Sequence, residues 1–309
     1  MKSMRESFAE ALLDIGSTNE DVVVLDADLS RSTGTWRFAK AYPSRFINIG
    51  ISEQDLMGTA AGLALCGKIP IVSTYAIFGT GRAWEQIRNA IGLANLNVKI
   101  ILTHSGITNF GDGATHQSFE DIALMRVIPN MTVVVPCDAE EAKKSVVAAI
   151  SHKGPVYIRL GRDATPIIHG EDYQFSIGKS VVLRDGSDVA IMSSGIMVSE
   201  ALRASEVLKR EGIEAQVIDV PTIKPIDTST ILHSARETGG IVTVEDHNIY
   251  GGLGSAISEV IVKNYPVPME FVGIQDRFGE SGTLPALKFM LGLSVPNIVK
   301  AVKGVLKRR

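Results

Sequence analysis

Continuous apolar runs alternate with amphipathic stretches along the whole chain. Two such runs are DVVVLDAD at 21–28 and KIILTHS at 99–105. A continuous run is typical of a parallel strand that helices cover on both faces. The stretches between the runs carry apolar residues at helical spacing, as at Phe8, Leu12 and Ile15. The pattern therefore predicts an α/β fold with open, mostly parallel sheets.

The alternation is interrupted once, near Arg162. Residues 163–180 contain Pro, Gly and polar residues without a clear period, which is typical of a connecting segment. A second series of apolar runs starts with DVAIMSSG at 188–195. Because the 309 residues exceed the usual size of one domain, we predict two successive α/β domains. Their predicted bounds are 1–165 and 181–309, with a linker at 166–180.

The composition excludes some functions. The net charge is −3 and 21% of residues are charged, so nothing indicates a nucleic-acid or membrane-surface partner. There is no uncharged apolar run of about 18 residues, and the first residues lack the apolar core of a signal peptide. Cys66 and Cys137 have mostly apolar neighbours and no ligand spacing, which predicts structural thiols in a reducing compartment. We therefore expect a cytoplasmic protein.

A long loop after one predicted strand is the richest in chemistry. The segment THSGITNFGDGATHQSFED at 103–121 contains His104, Asp112, His116 and three glycines. Loops at the carboxyl ends of parallel strands commonly bind ligands. A zinc site is possible on residue types alone, but the two histidines lie on a loop and no third strong ligand is nearby. Proton transfer and hydroxyl recognition fit these residues better.

Two carboxylates lie at the end of the first strand. Asp26 and Asp28 could orient a ligand or transfer protons, and they could equally cap the following turn or helix. The residues alone leave both interpretations open.

Three glycine-rich stretches are candidates for anion binding. GDG at 111–113 resembles the start of a magnesium and diphosphate motif, but the Asn that follows, Asn130, precedes a Val-rich strand instead of lying in a loop. We reject it as a metal motif. GGLGS at 251–255 and GTGRAW at 79–84, which contains Arg82, each open a predicted helix. For these two we favour a structural helix entry or turn over an anion site.

Glu53 is an acid between apolar segments. It lies between INIGI at 47–51 and the helix predicted for LMGTAAGLALCG at 56–67. Ser52 and Asp55 could form a capping box there, and a first-turn acid complements the helix dipole. A buried carboxylate, however, costs several kcal/mol unless it is protonated or paired. We therefore expect Glu53 to have a specific partner.

Three long motifs carry a resemblance to a known family. They are NIGISEQDLMGTAAGLALCGKIPIVSTYAIF at 48–78, the loop at 103–121, and DRFGESG at 276–282. In this order they closely resemble the C-terminal portion of transketolases, over essentially the whole chain. The resemblance implies a pyrimidine-binding domain followed by a transketolase C-terminal domain. It also implies the second subunit of a split transketolase, because the half with the GDG…N motif is missing.

The resemblance implies that three residues bind thiamine diphosphate. Glu53 matches the glutamate that shares a proton with N1′ of the aminopyrimidine and so promotes deprotonation at the thiazolium C2. Tyr75 and Phe78 match the aromatic pair around the pyrimidine, although Phe is frequent where Tyr75 stands. A third aromatic residue of the family is replaced by Gly81. Mg²⁺ and the diphosphate are implied to bind mainly to an N-terminal-type partner subunit that carries the GDG…N motif.

Other matched positions are implied to bind a sugar phosphate. His116 and His104 match histidines that bind substrate oxygen atoms and take part in catalysis, and Asp112 matches a residue that binds a hydroxyl. Arg159 is a further candidate cation. The remaining matches are Asp28 for a sugar hydroxyl, Ser32 for a phosphate, and Arg5 and Arg162 for the distal phosphate.

The implied activity is transfer of a two-carbon ketol unit from a ketose phosphate to an aldose phosphate, in the pentose phosphate pathway, by a heterotetramer. One alternative is half of a 1-deoxyxylulose-5-phosphate synthase or a beta-type subunit of a 2-oxo-acid dehydrogenase. His104 together with Asp112, and the motif at 276–282, favour transketolase. A second alternative is a split transketolase for an unusual sugar phosphate. A third, a catalytically idle binding subunit, is disfavoured by the presence of Glu53 and His116.

Overall fold

A computed structural model describes residues 1–309, in which strands and helices alternate. The strands are β1 (Lys2–Ser3), β2 (Val22–Asp26), β3 (Phe46–Asn48), β4 (Ile69–Ser73), β5 (Lys99–Leu102), β6 (Thr132–Val134), β7 (Val156–Arg159), β8 (Ala164–Thr165), β9 (Val181–Arg184), β10 (Val189–Ser193), β11 (Ala215–Asp219), β12 (Thr222–Lys224), β13 (Ile241–Asn248) and β14 (Met269–Ile274). The α-helices are α1 (Met4–Thr18), α2 (Ser30–Thr33), α3 (Trp36–Ala41), α4 (Glu53–Leu65), α5 (Trp84–Gln86), α6 (Asp121–Arg126), α7 (Ala139–Ser151), α8 (Val198–Arg210), α9 (Thr228–Thr238), α10 (Leu253–Asn264), α11 (Leu284–Met290) and α12 (Val295–Leu306). Two π-helices, Phe78–Arg82 and Ile87–Gly92, flank α5.

Two sheets organise the chain. The larger has the order β12-β6-β7-β5-β4-β2-β3 and is parallel except for β12. The smaller has the order β14-β13-β10-β11-β9 and is parallel except for β9. Strands β1 and β8 form a separate antiparallel pair. The predicted α/β fold with mostly parallel sheets is confirmed.

Burial follows the sequence pattern. Strands β2, β5 and β10 are buried at every position, as expected for parallel strands covered on both faces. In α1 the predicted apolar stripe of Phe8, Leu12 and Ile15 is buried. Helix α7 begins where the Asp138 side chain accepts the N–H of Glu141 at 2.8 Å, which satisfies one of the free donors of the first turn.

The two halves of the chain share more than a connecting segment. Strand β12, from the second half, pairs with β6 at the edge of the larger sheet. In the predicted linker at 166–180, the N–H groups of Ile168 and His169 donate to the Asp138 carboxylate at 2.6 and 2.8 Å, and His169 is buried. This part of the linker is therefore packed against the start of α7. The domain bounds themselves stay a prediction.

An ion cluster joins the two halves. Arg159 is 2% exposed, and it donates to Asp121 at 2.7 Å and to Asp246 at 2.6 Å. Its remaining N–H groups donate to the carbonyl oxygens of Ser118 and Asp246. We call Arg159, Asp121 and Asp246 the interdomain clamp. The expectation that Arg159 is a further substrate-binding cation does not hold, because its donors are used inside the protein.

The glycine-rich stretch at 251–255 is a helix entry. Glu245 accepts the N–H groups of Leu253 and Gly254 at 2.7 and 2.9 Å. A Cβ on Gly252 would lie 2.0 Å from the same carboxylate, which explains the glycine. The chain's own acid therefore fills the N-terminus of α10, where an outside anion would otherwise bind.

By length and composition, the stretch Leu284–Leu306 is long and apolar enough to cross a membrane, with a mean hydropathy of 1.4 over an 18-residue window. It is not one continuous helix, because α11 ends at Met290 and Gly292 takes a left-handed φ of 75° before α12 begins. Ile298 and Val302 of α12 are fully buried in the core. Helix α12 packs against β10, β13 and β14, and this packing accounts for its apolar face.

Candidate active site

Four neighbouring strands bring candidate residues to one edge of the larger sheet. Strands β3, β2, β4 and β5 are adjacent and parallel, so their carboxyl ends point the same way. Asp28 follows β2, Glu53 follows β3, Tyr75 follows β4 and His104 follows β5. The loops after these strands therefore form one candidate site.

Glu53 is the first residue of α4, and its side chain is only 5% exposed. The predicted capping box is not formed, since the Ser52 hydroxyl makes no capping hydrogen bond. Its charge partner is Arg82, whose Nη1 lies 3.3 and 3.4 Å from the two carboxylate oxygens. Arg82 is itself 54% exposed, and with residues 51–54 it lines an open cavity of about 450 Å³. The buried acid thus has a partner that solvent can reach.

Aromatic rings line the site beside this pair. Tyr75 stacks on Phe78 at a centroid distance of 5.8 Å and on the His104 ring at 3.9 Å. His116 meets Phe78 edge-on at 5.1 Å. The Arg82 guanidinium lies 4.1 Å from the centroid of the Phe78 ring. The side chains of Tyr75, Phe78, His104 and His116 therefore form one continuous aromatic wall. Arg82 links this wall to Glu53.

His104 is held in a single neutral state by its surroundings. It is buried and has a left-handed φ of 59°, and its Nδ1 lies 2.8 Å from the Thr103 hydroxyl. Burial is the main cause that lowers the pKa of His104 to about 3, and the positive charges of Arg162 and Arg5 and the His116 ring contribute to the same shift. Since Arg5 and Arg162 act on this imidazole, both cations lie on the His104 side of the site.

Arg5 and Arg162 are half-buried at this end of the site. The Nη1 of Arg5 donates to the carbonyl oxygen of Ser32 at 3.0 Å, so these two predicted phosphate contacts lie together. The Arg162 guanidinium lies 5.8 Å from the centroid of the Phe110 ring, and its carbonyl oxygen accepts the Ser3 hydroxyl at 3.3 Å. Neither arginine forms an ion pair within the chain, so both retain donors for an anion.

Asp28 and Asp112 are both exposed. Asp28 has a left-handed φ of 61° and accepts a hydrogen bond from the Asn48 side chain at 3.1 Å. The exposed carboxylate of Asp112 forms no hydrogen bond or ion pair within the chain. Asp28 therefore lies at the edge of the sheet that carries the site, and the substrate role of Asp112 stays a prediction.

The question left open for Asp26 is decided by burial. Its carboxylate accepts the Leu29 N–H at 2.6 Å and the hydroxyls of Thr33 and Thr35 at 2.8 Å each. Burial raises the pKa of Asp26, and these hydrogen bonds oppose the rise. Asp26 is therefore a structural cap and does not face a ligand.

The motif at 276–282 supports the loop that carries His116. Gln117 donates to the carbonyl oxygen of Glu280 at 3.0 Å, and the Gly282 N–H donates to that of Phe110 at 3.1 Å. A Cβ on Gly279 would lie 1.5 Å from the Gln117 side chain, so only glycine permits this contact. The second half of the chain thus positions a candidate residue of the first.

Sequence reasoning missed two features around the site. Arg82 was assigned to a structural turn, and only its position four residues after Phe78, among glycines, could have indicated that it reaches the same ring. The two cysteines also differ: Cys66 is exposed at the end of α4, whereas Cys137 is buried and lies near the acidic side chains of Asp219 and Glu141.

The comparison with protein families decides the identity. The pyrimidine-binding domain of transketolase matches residues 1–167, and the transketolase C-terminal domain matches residues 178–298. The chain belongs to the transketolase family.

Several similar chains are described as sections or subunits of a transketolase. A chain from Methanocaldococcus jannaschii described as a transketolase C-terminal section is 47% identical, over 99% of this chain and 97% of that one. A subunit of 6-deoxy-6-sulfo-D-fructose transketolase from Clostridium sp. is 41% identical, over 99% and 95%. The solved structure described as a split gene transketolase, inactive beta4 tetramer, superposes with a TM-score of 0.94 at 50% identity, and each chain is covered completely.

Transketolases use thiamine diphosphate, and the site fits the pyrimidine half of that cofactor. A buried carboxylate, a flat aromatic surface and a neighbouring cavity suit a planar ring with a basic nitrogen. Glu53 supplies the carboxylate, and Tyr75 and Phe78 supply the surface. These residues therefore suit the pyrimidine ring of the cofactor.

Proposed function

We propose that this chain is the C-terminal-type subunit of a split transketolase. With an N-terminal-type partner it transfers a two-carbon ketol unit from a ketose phosphate to an aldose phosphate, using thiamine diphosphate and Mg²⁺. The observation that carries the proposal is the buried carboxylate of Glu53 beside the wall of Tyr75, Phe78, His104 and His116.

Each side chain of this wall has a role in the proposal. When bound, thiamine diphosphate supplies the carbanion chemistry. Glu53 holds a proton at the pyrimidine N1′, and Tyr75 and Phe78 orient the ring and exclude water. Because the Arg82 guanidinium lies against both Glu53 and the Phe78 ring, it must leave this position when the pyrimidine enters.

The substrate roles follow from charge and protonation. His104, which stays neutral because of its lowered pKa, binds a substrate hydroxyl or carbonyl oxygen without adding charge. His116 is less buried and transfers protons to and from substrate oxygen. Arg5 and Arg162 bind the distal anionic group. Asp28 and Asp112 bind further hydroxyl groups of the substrate, and Ser32 binds a phosphate oxygen.

A partner subunit is part of the proposal because one side of the site is open. Helix α4 exposes Leu65 to 74%, and the preceding Ile51 is exposed to 77%. A Cβ on Gly58 or Gly62 would meet no atom within 4 Å. We propose that the partner covers this side and holds Mg²⁺ and the diphosphate in an assembly of two chains of each kind. The inactive beta4 tetramer of the similar split-gene chain is consistent with that requirement.

A second candidate is a transketolase for an anionic sugar other than a phosphate. The Clostridium relative, 41% identical, is named for 6-deoxy-6-sulfo-D-fructose. Sulfonate and phosphate are both tetrahedral anions that arginine binds in the same way. Assays of the reconstituted complex with xylulose 5-phosphate, a 6-sulfonated ketose and pyruvate separate the two candidates from a deoxyxylulose phosphate synthase.

The test of the mechanism is Glu53→Gln, assayed in the complex with the partner subunit. We expect kcat/KM for ketol transfer to fall by about 10²- to 10⁴-fold, the usual contribution of a proton-transferring side chain. Glu20→Gln is the matched control, because Glu20 is an exposed glutamate that precedes β2, at the end of that strand opposite the site; its activity should stay within about twofold of wild type.

Two results would contradict the proposal. Undiminished ketol transfer by Glu53→Gln would remove Glu53 from the mechanism. Robust turnover by this chain without any partner would remove the split-enzyme assignment.

A further inference from the structure

A second cluster of titratable side chains is enclosed between the two halves of the chain. Cys137 follows β6, Glu141 lies in the first turn of α7, His169 lies in the segment between the halves, and Asp219 ends β11. All four side chains are buried. One ligand atom from each, namely a thiol sulfur, an imidazole nitrogen and two carboxylate oxygens, lies within 4.8 Å of all the others.

Neighbouring groups orient these four side chains. The His169 Nε2 lies 2.8 Å from an Asp219 oxygen and 3.6 Å from a Glu141 oxygen. Glu141 accepts the hydroxyl of Tyr173 at 2.7 Å and the N–H of Cys137 at 2.8 Å. The Tyr173 ring also stacks on the His169 ring at 3.9 Å. Hydrogen bonds and packing of this kind fix ligand orientation around metal centres.

The cluster lacks positive charge. The second oxygen of Asp219 is buried and has no hydrogen-bond partner. The imidazole of His169 is the only group of the four that could carry a positive charge. Such a site either keeps its acids protonated or binds a cation that offsets them.

We propose that Cys137, Glu141, His169 and Asp219 bind one divalent d-block cation, with Zn²⁺ as the preferred ion. Thiolate and imidazole ligands favour Zn²⁺ over the hard cations Mg²⁺ and Ca²⁺, which take oxygen ligands. Four protein ligands with no water-accessible position describe a structural and not a catalytic site. The ion would tie the first domain, the connecting segment and the second domain at one point.

This site is independent of the proposed transketolase chemistry. It shares no residue with the wall around Glu53, and its ligands come from other strands, β6 and β11, and from α7. Failure of either proposal therefore leaves the other standing.

The decisive experiment uses a variant outside the cluster. The chain has two cysteines, so in the Cys66→Ser variant Cys137 is the sole thiol. Cys66 is exposed, so its replacement leaves the core intact. We expect this variant, purified without chelator from zinc-supplemented cells, to contain about one Zn²⁺ per chain by mass spectrometry. After removal of the metal, we expect Co²⁺ to bind with a thiolate-to-cobalt charge-transfer band, which only Cys137 can give.

Variants of the ligands then test the remaining assignment in the Cys66→Ser background. We expect Cys137→Ser to abolish the charge-transfer band. Asp219→Asn should keep the band and weaken Co²⁺ binding by at least about tenfold, because it replaces a charged ligand by a neutral amide. Where a ligand variant fails to fold, the band and the rise of Tm on adding Zn²⁺ to the folded Cys66→Ser chain decide the question.

Several results would overturn the inference. Absence of bound metal and of the cobalt band in the folded Cys66→Ser chain would show a proton-sharing cluster only. Metal that is retained without loss of affinity in both ligand variants would lie elsewhere. Binding of Mg²⁺ or Ca²⁺ in preference to Zn²⁺ would contradict the assigned ligand set.

Discussion

Among the arginine–carboxylate contacts of the chain, two differ sharply in burial and geometry. In the interdomain clamp, Arg159 is 2% exposed and lies 2.6 and 2.7 Å from two acids. At the candidate active site, Arg82 is 54% exposed and lies 3.3 Å from Glu53. The first pair is closed on all sides, and the second opens to a cavity.

The closed pair stabilises the fold, whereas in the open pair another group can replace the arginine. Removing one partner of a buried ion pair leaves an uncompensated charge inside the protein. An exposed partner adds little, because water can replace it. Glu53 therefore keeps its buried position while its charge partner remains replaceable, which is what a ligand-binding carboxylate requires.

The largest expected effect on stability comes from removing the arginine of the closed pair. Arg159→Met should reduce the free energy of unfolding by about 3–5 kcal/mol, because Asp121 and Asp246 are then left buried without a counter-ion. Urea unfolding followed by circular dichroism measures the change.

Arg82→Met is the matched control for that measurement. Its loss should be clearly smaller than that of Arg159→Met, since the guanidinium is largely in water and water can reach Glu53 in its place. Equal losses for the two variants would show that the open and closed pairs do not differ in the way described.

An effect of intermediate size is expected at His104, the buried histidine of the candidate active site. The unfolded chain protonates this histidine below about pH 6.5, whereas the folded chain does so only near its lowered pKa of about 3. Between these values the unfolded state binds more protons, so stability falls as the pH falls. On lowering the pH from 7 to 5, wild type should lose about 2 kcal/mol more than His104→Gln.

The control for this pH dependence is His233→Gln. His233 is an exposed histidine on α9, so its replacement should leave the slope of stability against pH unchanged. Identical slopes for wild type and His104→Gln would mean that the folded chain protonates His104 as readily as the unfolded one.

The smallest expected effects come from replacing two helical glycines, one on α4, the helix that begins at Glu53, and one on α10. A Cβ on Gly58 of α4 meets nothing within 4 Å, whereas one on Gly254 of α10 would lie 2.8 Å from the Thr243 hydroxyl oxygen. Gly58→Ala should stabilise the isolated chain by about 0.5–1 kcal/mol, and Gly254→Ala should destabilise it. Thermal unfolding of both variants checks the signs, and a loss of stability for Gly58→Ala would show that α4 is already covered.

Local sequence patterns predicted the strands well and the partners of side chains poorly. The apolar runs at 21–28 and 99–105 contain β2 and β5, because burial on both faces leaves a direct mark in the sequence. Glu53 was expected to need a partner, but Arg82 could not be assigned, since their contact spans 29 positions and passes through a π-helix. The resemblance supplied the site residues; the structure brings most of them together, and their roles stay predictions.

The connecting segment shows the same limit. Its Pro, Gly and polar residues indicated a linker, yet His169 within it is buried between Glu141 and Asp219. These three residues lie far apart along the chain, so no window of sequence contains the cluster. Periodicity reports which face of an element is buried, and it does not report which elements meet.

The position of β12 has a consequence for the order in which the parts of the protein can fold during synthesis. The edge strand β6 ends at Val134, but its partner β12 ends only at Lys224. During synthesis the larger sheet therefore keeps an unpaired edge until the chain has passed Lys224, and an uncovered edge is a site for pairing with other chains. The larger sheet can therefore be completed only after part of the second half has been synthesised, and the progress of translation sets the earliest time at which this happens.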